Sequence, residues 1–190
     1  MSHHVRNASL SSILSQKTPR GPPTESQLES REAKYWKRKG VRMVSKSQNR
    51  RQSSQSGFQC QLFYLSGSIQ YEGLIRDRLK HGLGKEYYEI GTLKYQGLFV
   101  EDMYNDHQGI SYFKNGKIQY KGSFVNGIRS GKGKEYARNG NVIYDGYWIN
   151  NEKVGKRARL YYPNGKLEYD GDIEKNLKHG KGKEYCVTGE

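Results

Sequence analysis

Cysteine is scarce in this chain of 190 residues, which has two, Cys60 and Cys186. They sit near opposite ends of a patterned region, too far apart for an internal disulfide if that region is a sheet. Two reduced thiols of a cytosolic protein are the expectation. Hydrophobic residues are also few, at 33% of the chain, so a conventional large core is excluded. No apolar run approaches the roughly 20 residues of a membrane span. Catalytic spacings are missing as well. No Cys/His pattern fits zinc, and no paired carboxylates suited to acid–base work are visible. Gly131-Lys132-Gly133-Lys134 lacks the spacing of a phosphate-binding loop. His3 and His4 lie near the start, while His81 and His179 recur in Lys-His-Gly strings that the repeat described below explains. These absences predict no catalytic residues, no metal, no cofactor and no small-molecule substrate.

Glycine and tyrosine are abundant instead, with 23 and 16 residues, and they are periodic. Tyr-x-Gly occurs at Tyr71/Gly73, Tyr95/Gly97, Tyr120/Gly122, Tyr144/Gly146 and Tyr169/Gly171, in steps of 24, 25, 24 and 25 residues. A period in the twenties signals a stack of one supersecondary unit on copies of itself. Four residues after each tyrosine comes an apolar side chain: Ile75, Phe99, Phe124, Trp148 and Ile173. Positions i, i+2 and i+4 of a strand share a face, so each unit offers two bulky groups with a glycine slot between them. A second glycine cluster follows at 82–84, 131–133 and 180–182, with Tyr87, Tyr136 and Tyr185 three residues beyond it.

Asn115-Gly116, Asn139-Gly140 and Asn164-Gly165 then close units, as Ile90-Gly91 and Thr188-Gly189 do elsewhere. Asn-Gly suits a type I′ hairpin, so these turns are expected to be of that type. Asn126-Gly127 and Asn150-Asn151 mark the other turns. The pattern predicts an all-β, elongated, single-layer antiparallel meander. It has a half repeat at 58–67 and five repeats from near 71, 95, 120, 144 and 169, in about 11 strands. The five repeat tyrosines are expected to form one column on one face.

These residues resemble the MORN repeat family (membrane occupation and recognition nexus), in the variant form abundant in ciliated protists. The resemblance covers residues 58–190, five units in register. There are departures. His107-Gln108-Gly109 comes one residue late, and Gly155-Lys156-Arg157 loses the second glycine, with an extra residue before Tyr161. Glu86, Glu135 and Glu184 stand where the family more often has an aromatic residue or Thr, which leaves open the face that Tyr87, Tyr136 and Tyr185 take.

Residues 1–57 read as a separate basic arm, rich in Ser, Arg and Lys. Residues 1–60 hold 12 Lys/Arg and 3 acids, a net of +9 out of the chain's +14. Thr24 as N-cap, early glutamates, late cations and Gly40 allow a short helix over 25–39. In isolation the arm reads as mostly disordered or extended. Alternatively it folds on an acidic partner, through Lys34, Lys37, Arg38, Lys39, Arg50 and Arg51, with Trp36 as anchor. Arg50-Arg51-Gln52-Ser53 resembles a basophilic kinase site.

The resemblance implies a non-catalytic scaffold, because similar arrays occur in cytoskeletal and axonemal proteins and in organisers of membrane-apposed structures. Acidic tubulin surfaces, or axonemal proteins, would suit the basic arm. The expectation is a scaffold or assembly protein of the cilium, axoneme or microtubule cytoskeleton in the cytoplasm. One alternative is an adaptor for anionic phospholipid surfaces. Another is an accessory subunit of a mitochondrial assembly, since residues 1–24 lack acids and carry Arg6, Lys17 and Arg20. Nucleic acid ranks last, because the aromatic residues fall at packing positions.

Overall fold

The structure is a computed structural model that describes residues 25–39, 41–45 and 57–188. Among the described residues one helix, α1 (Glu25–Arg38), precedes thirteen strands. They are β1 (Arg42–Ser45), β2 (Phe58–Phe63), β3 (Ile69–Arg76), β4 (Leu79–Tyr87), β5 (Leu93–Val100), β6 (Met103–Tyr104) and β7 (Asp106–Tyr112). The series continues with β8 (Ile118–Val125), β9 (Ile128–Tyr136), β10 (Val142–Ile149), β11 (Glu152–Tyr161), β12 (Leu167–Glu174) and β13 (Leu177–Glu184). All join one antiparallel sheet whose spatial order follows the chain. β6 and β7 both pair with β5, so they form one strand position interrupted at Asn105. Eleven positions therefore come from the repeats, and β1 adds one from the arm.

That added strand corrects the assignment of residues 42–45 to a free arm. Met43 and Val44 pair with Leu62 and Gln61, so β2 is not the sheet's edge. α1 spans nearly the expected helix, and Lys37 and Arg38 in its last turn complement its dipole.

The core is a single row of side chains on one face, and burial alternates along the first strand of each hairpin. Tyr71, Tyr95, Tyr120 and Tyr144 are fully buried and Tyr169 nearly so. Their registers align across the hairpins, so the expected column is formed on one face. In the regular hairpins the first glycine lies opposite a second: Gly73 faces Gly84, Gly122 faces Gly133 and Gly171 faces Gly182. Between units, Gly97 faces Gly84 and Gly109 faces Gly122.

The fourth unit, which loses the second glycine in sequence, fills its slot differently. Gly146 faces Gly133 on β9, but a bulge between Asp145 and Tyr147 leaves it without a partner in register on β11. No second glycine stands beside it there. Ala158 takes that place instead, facing Gly171 on its other side, and its Cβ lies 3.1 Å from where a Cβ on Gly146 would be. The cause is the extra residue in β11, carried by an insertion through Arg157 at φ 57°. Gly146 still lies under its tyrosine, since a Cβ there would stand 2.3 Å from the Tyr144 oxygen. Thus the fourth unit keeps a small residue at the slot, one position later than expected.

The turns differ from the sequence reading. At Asn115-Gly116, Asn139-Gly140 and Asn164-Gly165 only glycine has positive φ, 81° at Gly116, and Gly116 N–H donates to Phe113 O at 2.9 Å. This is a three-residue loop with a bulge, not a type I′ turn. Asparagine is used there for its side chain, since Asn115 Oδ1 accepts from Lys117 N at 3.1 Å. Two consecutive positive-φ residues, as type I′ requires, occur at the opposite ends: 77–78, 101–102, 126–127, 150–151 and 175–176.

Candidate functional site

On the buried face the rings interlock edge to face. Phe99 meets Tyr71 and Tyr95 at centroid distances of 5.2 and 5.1 Å, and Trp148 meets Tyr120 and Tyr144 at 5.5 and 5.1 Å. Each such pair is worth about 0.5–1.5 kcal/mol beyond burial. Every column tyrosine donates its hydroxyl to the carbonyl three residues on, as Tyr120 does to Ser123 O at 3.1 Å. This is possible because the ring lies across the facing small residues. A Cβ built on Gly133 would stand 2.2 Å from the Tyr120 oxygen.

A charged layer, invisible as such in the sequence, covers this ladder. Lys80, Arg129, Lys153 and Lys178 hold equivalent positions five residues past the apolar member of each unit, while Tyr104 takes that position in the second. Arg129 lies 5.0 Å from the Tyr120 ring centre and 4.9 Å from that of Trp148, and Lys153 lies 5.2 Å from that of Tyr144. Cations over aromatic faces are attracted by the ring quadrupole.

The unusual glutamates neutralise these cations. Glu86 binds Lys80, Lys94 at 3.2 Å and the Tyr104 hydroxyl, and Glu135 binds Arg129 at 2.8 Å and Lys153 at 2.9 Å. Burial pushes the Glu86 carboxyl up, but the Lys80 charge, hydrogen bonds from Lys80 and Tyr104, and Lys94 outweigh it and hold it below its ordinary value. Glu135 behaves alike: burial raises it, and the hydrogen bonds and charges of Lys153 and Arg129 bring it down. Glu184 pairs with Lys178 at 3.0 Å in the last unit. These glutamates share the tyrosines' register, Tyr71↔Glu86↔Tyr95 and Tyr120↔Glu135↔Tyr144. Sequence reasoning missed their role because a glutamate in a strand reads as solvent-facing. The signal that could have found it is the recurrence of a cation six residues before each: Lys80, Arg129 and Lys178.

The opposite face is open. Lys85, Gln96, Ile110, Lys121, Lys134, Asp145, Arg159, Asp170 and Lys183 follow one another in register across it, with ion pairs Lys134–Asp145 at 2.9 Å and Arg159–Asp170 at 3.1 Å. Large apolar groups are exposed beside this row. Val100 pairs with Met103 and Val125 with Ile128, while Tyr147 and Ile149 are 54% and 58% exposed. A depression of about 500 Å³ is lined by His107, Lys121, Lys132, Lys134, Tyr136 and Asp145.

The arm residues divide. Trp36 packs against the end of the core with Val41 and Met43, so it is not an exposed anchor for an outside partner. Arg78 stacks on Tyr35 at 4.5 Å. Lys34, Lys37, Arg38 and Lys39 are exposed. Arg50, Arg51 and Ser53 lie outside the described residues. Cys60 is a free thiol at the slot opposite Gly73, where burial pushes it up to about 12, and Cys186 is free and exposed. Among the described residues no group of His, Cys, Asp and Glu gathers as a metal site, and no helix is long and apolar enough to cross a membrane.

Two family models match this array. The MORN repeat model matches residues 120–142, 144–156 and 169–190, and the MORN repeat variant model matches 80–101, 108–126 and 156–173. The chain belongs to the MORN repeat family. No curated protein matches the chain in sequence. MORN repeats mediate protein or membrane-lipid interactions, so the array is an interaction surface. The first model finds the regular third and fifth units together with the start of the fourth. The variant model takes in β7 of the second unit and the insertion in the fourth, where β7 and β11 depart from the regular hairpin.

Proposed function

We propose that this protein is a non-catalytic scaffold that holds a protein partner on its open face, within the microtubule cytoskeleton of a cilium or axoneme. The observation that carries the reading is the exposed stripe of Val100, Met103, Val125, Ile128, Tyr147 and Ile149 beside Lys121, Lys132 and Lys134. Apolar anchors bordered by cations suit an acidic partner such as a tubulin surface, with the apolar groups giving affinity and the cations orientation. The basic segment 1–60 adds charge of the same sign.

Co-sedimentation of the full chain with microtubules, beside vesicles containing phosphatidylserine, tests it. Microtubule binding that falls at least about tenfold in the Tyr147→Asp/Ile149→Asp double variant is expected, since central aromatic anchors dominate interfaces. Leu65→Asp, in a loop at 86% exposure, leaves binding unchanged. Failure to pellet with microtubules overturns the cytoskeletal reading. Binding to vesicles alone, lost in the same double variant, moves the function to a membrane adaptor.

A further inference from the structure

The charged layer over the aromatic ladder is interrupted at Ser111 and at Leu160. The tyrosine row runs Leu62, Tyr71, Glu86, Tyr95, Ser111, Tyr120, Glu135, Tyr144, Leu160, Tyr169, Glu184, each paired with its neighbour across the sheet. The positions after Tyr71 and Tyr120 carry the neutralising glutamates, that after Tyr144 carries the apolar Leu160, and that after Tyr95 carries Ser111, the polar position of this row without a carboxylate. Beside Ser111 the surface sinks into a pocket of about 240 Å³. Its polar lining is Tyr88, Lys94, Tyr104, Gln119, Arg129 and Asn151, and no acid is among the lining residues.

Translating the repeat shows what would sit there. Glu135 takes Arg129 from its own unit and Lys153 from the next. Glu86 takes Lys80 from its own unit, and Tyr104 and Lys94 from the next. A carboxylate over Ser111 would meet Arg129 and Gln119 of the next unit, while the Tyr104 hydroxyl of its own unit is already given to Glu86. Lys94 closes the pocket from the first side. The charges around Ser111 are unbalanced in the same sense. Among the described residues Lys80, Lys94, Arg129 and Lys153 pair with Glu86 and Glu135, four cations against two acids. The cations are half-buried, so solvent screens the imbalance incompletely.

We infer that the Ser111 pocket is a docking subsite for an acidic side chain of a partner protein, whose carboxylate takes the place between Tyr95 and Tyr120 that Glu86 and Glu135 take in the neighbouring units. The site lies on the aromatic face and stands apart from the open-face reading above. An acidic peptide is favoured over a lipid headgroup because the internal precedents, Glu86 and Glu135, are carboxylates in the same register between the same kinds of group. The flanking Tyr88 and Phe124 also offer contact to the stem of a side chain.

The test uses the full chain and a capped hexaglutamate peptide as probe, followed by titration calorimetry. Two variants add one negative charge each. Ser111→Glu fills the subsite from within, and Gln96→Glu places the charge on the exposed open face. Peptide affinity should fall at least about tenfold in Ser111→Glu, because hydrogen bonds to charged groups are at stake, and should stay within about twofold in Gln96→Glu. Ser111→Glu should melt no lower than the parent, so that lost binding is not lost folding. Equal losses in both variants would mean diffuse attraction to a basic protein, and no loss in Ser111→Glu would mean the peptide binds elsewhere; either overturns the inference. Inorganic phosphate that binds in a Ser111→Glu-sensitive way while the peptide does not would reduce the pocket to a small-anion site and also overturn it. Phosphatidylserine vesicles that show the Ser111→Glu loss, with a peptide that does not bind, would replace the protein partner by a membrane.

Discussion

A tyrosine laid over two facing glycines is the smallest unit on which this protein depends. Gly133→Ala puts a methyl 2.2 Å from the Tyr120 oxygen and 2.4 Å from its Cζ. The ring cannot yield easily, because its hydroxyl is bonded to Ser123 O and its sides meet Phe124 and Trp148. A loss of about 1–3 kcal/mol is expected. Gly116→Ala meets open space and pays only for a left-handed φ of 81°, about 1 kcal/mol. Thermal melts should rank Gly133→Ala below Gly116→Ala, and coincident melts would remove the slot from the explanation. At this scale the sequence was readable where residues recur at fixed spacing: the five Tyr-x-Gly pairs and the apolar residue that follows each. Ala158, and with it the altered setting of Gly146, was hidden because an insertion displaced it from its register. The glutamates were hidden because their cations come from neighbouring strands, and pairing across strands is a property of register rather than of local sequence.

Among the elements, α1 and β1 have no counterpart in the repeat. The helix was legible from its caps and charge order. β1 was not, since Arg42-Met43-Val44-Ser45 is four residues inside a basic stretch and is a strand only because β2 offers an edge to pair with. Covering that edge blunts a site of unwanted pairing. Trp36 seals the junction by packing on the core end beside Val41 and Met43. Trp36→Ala should cost about 2 kcal/mol, less than the 3–5 of a fully buried aromatic because Trp36 is only half-buried. The loss should be local, since each unit of a repeat array contacts only its neighbours. Hydrogen exchange should quicken in β1 and β2 while β10 to β12 keep their protection. Uniform loss of protection along the sheet would show instead that the array unfolds as one body and that the cap is global. The turns teach a related lesson. Asn-Gly was legible as a turn, but its type was set by the three-residue loop geometry and by the Asx bond from Lys117 N, which composition does not reveal.

For the whole molecule, a single row of buried tyrosines beside paired glutamates fixes the pH range in which the sheet is stable. Burial raises the hydroxyls of Tyr120 and Tyr144 to about 12 and pushes those of Tyr71 and Tyr95 further, against about 10 in an unfolded chain. A folded value above the unfolded one means the unfolded chain releases its protons first. The stabilisation is therefore whole below pH 10 and is lost as the pH climbs from about 10 to 12. Glu86 and Glu135 are held below their ordinary value, so their contribution is whole above about pH 4.5 and is lost as the pH falls through their lower folded values. The melting temperature should thus be flat from about pH 5 to 9.5, fall gently in acid and fall steeply in alkali, where several rings act together. The alkaline limb is the sharper test because tyrosinate absorbs near 295 nm. Tyr71, Tyr95, Tyr120 and Tyr144 should ionise only as the strand signal collapses. A tyrosinate titration that finishes near pH 10 over an undisturbed sheet would mean the rings are open to solvent, and the aromatic ladder could not then be what holds the repeats together.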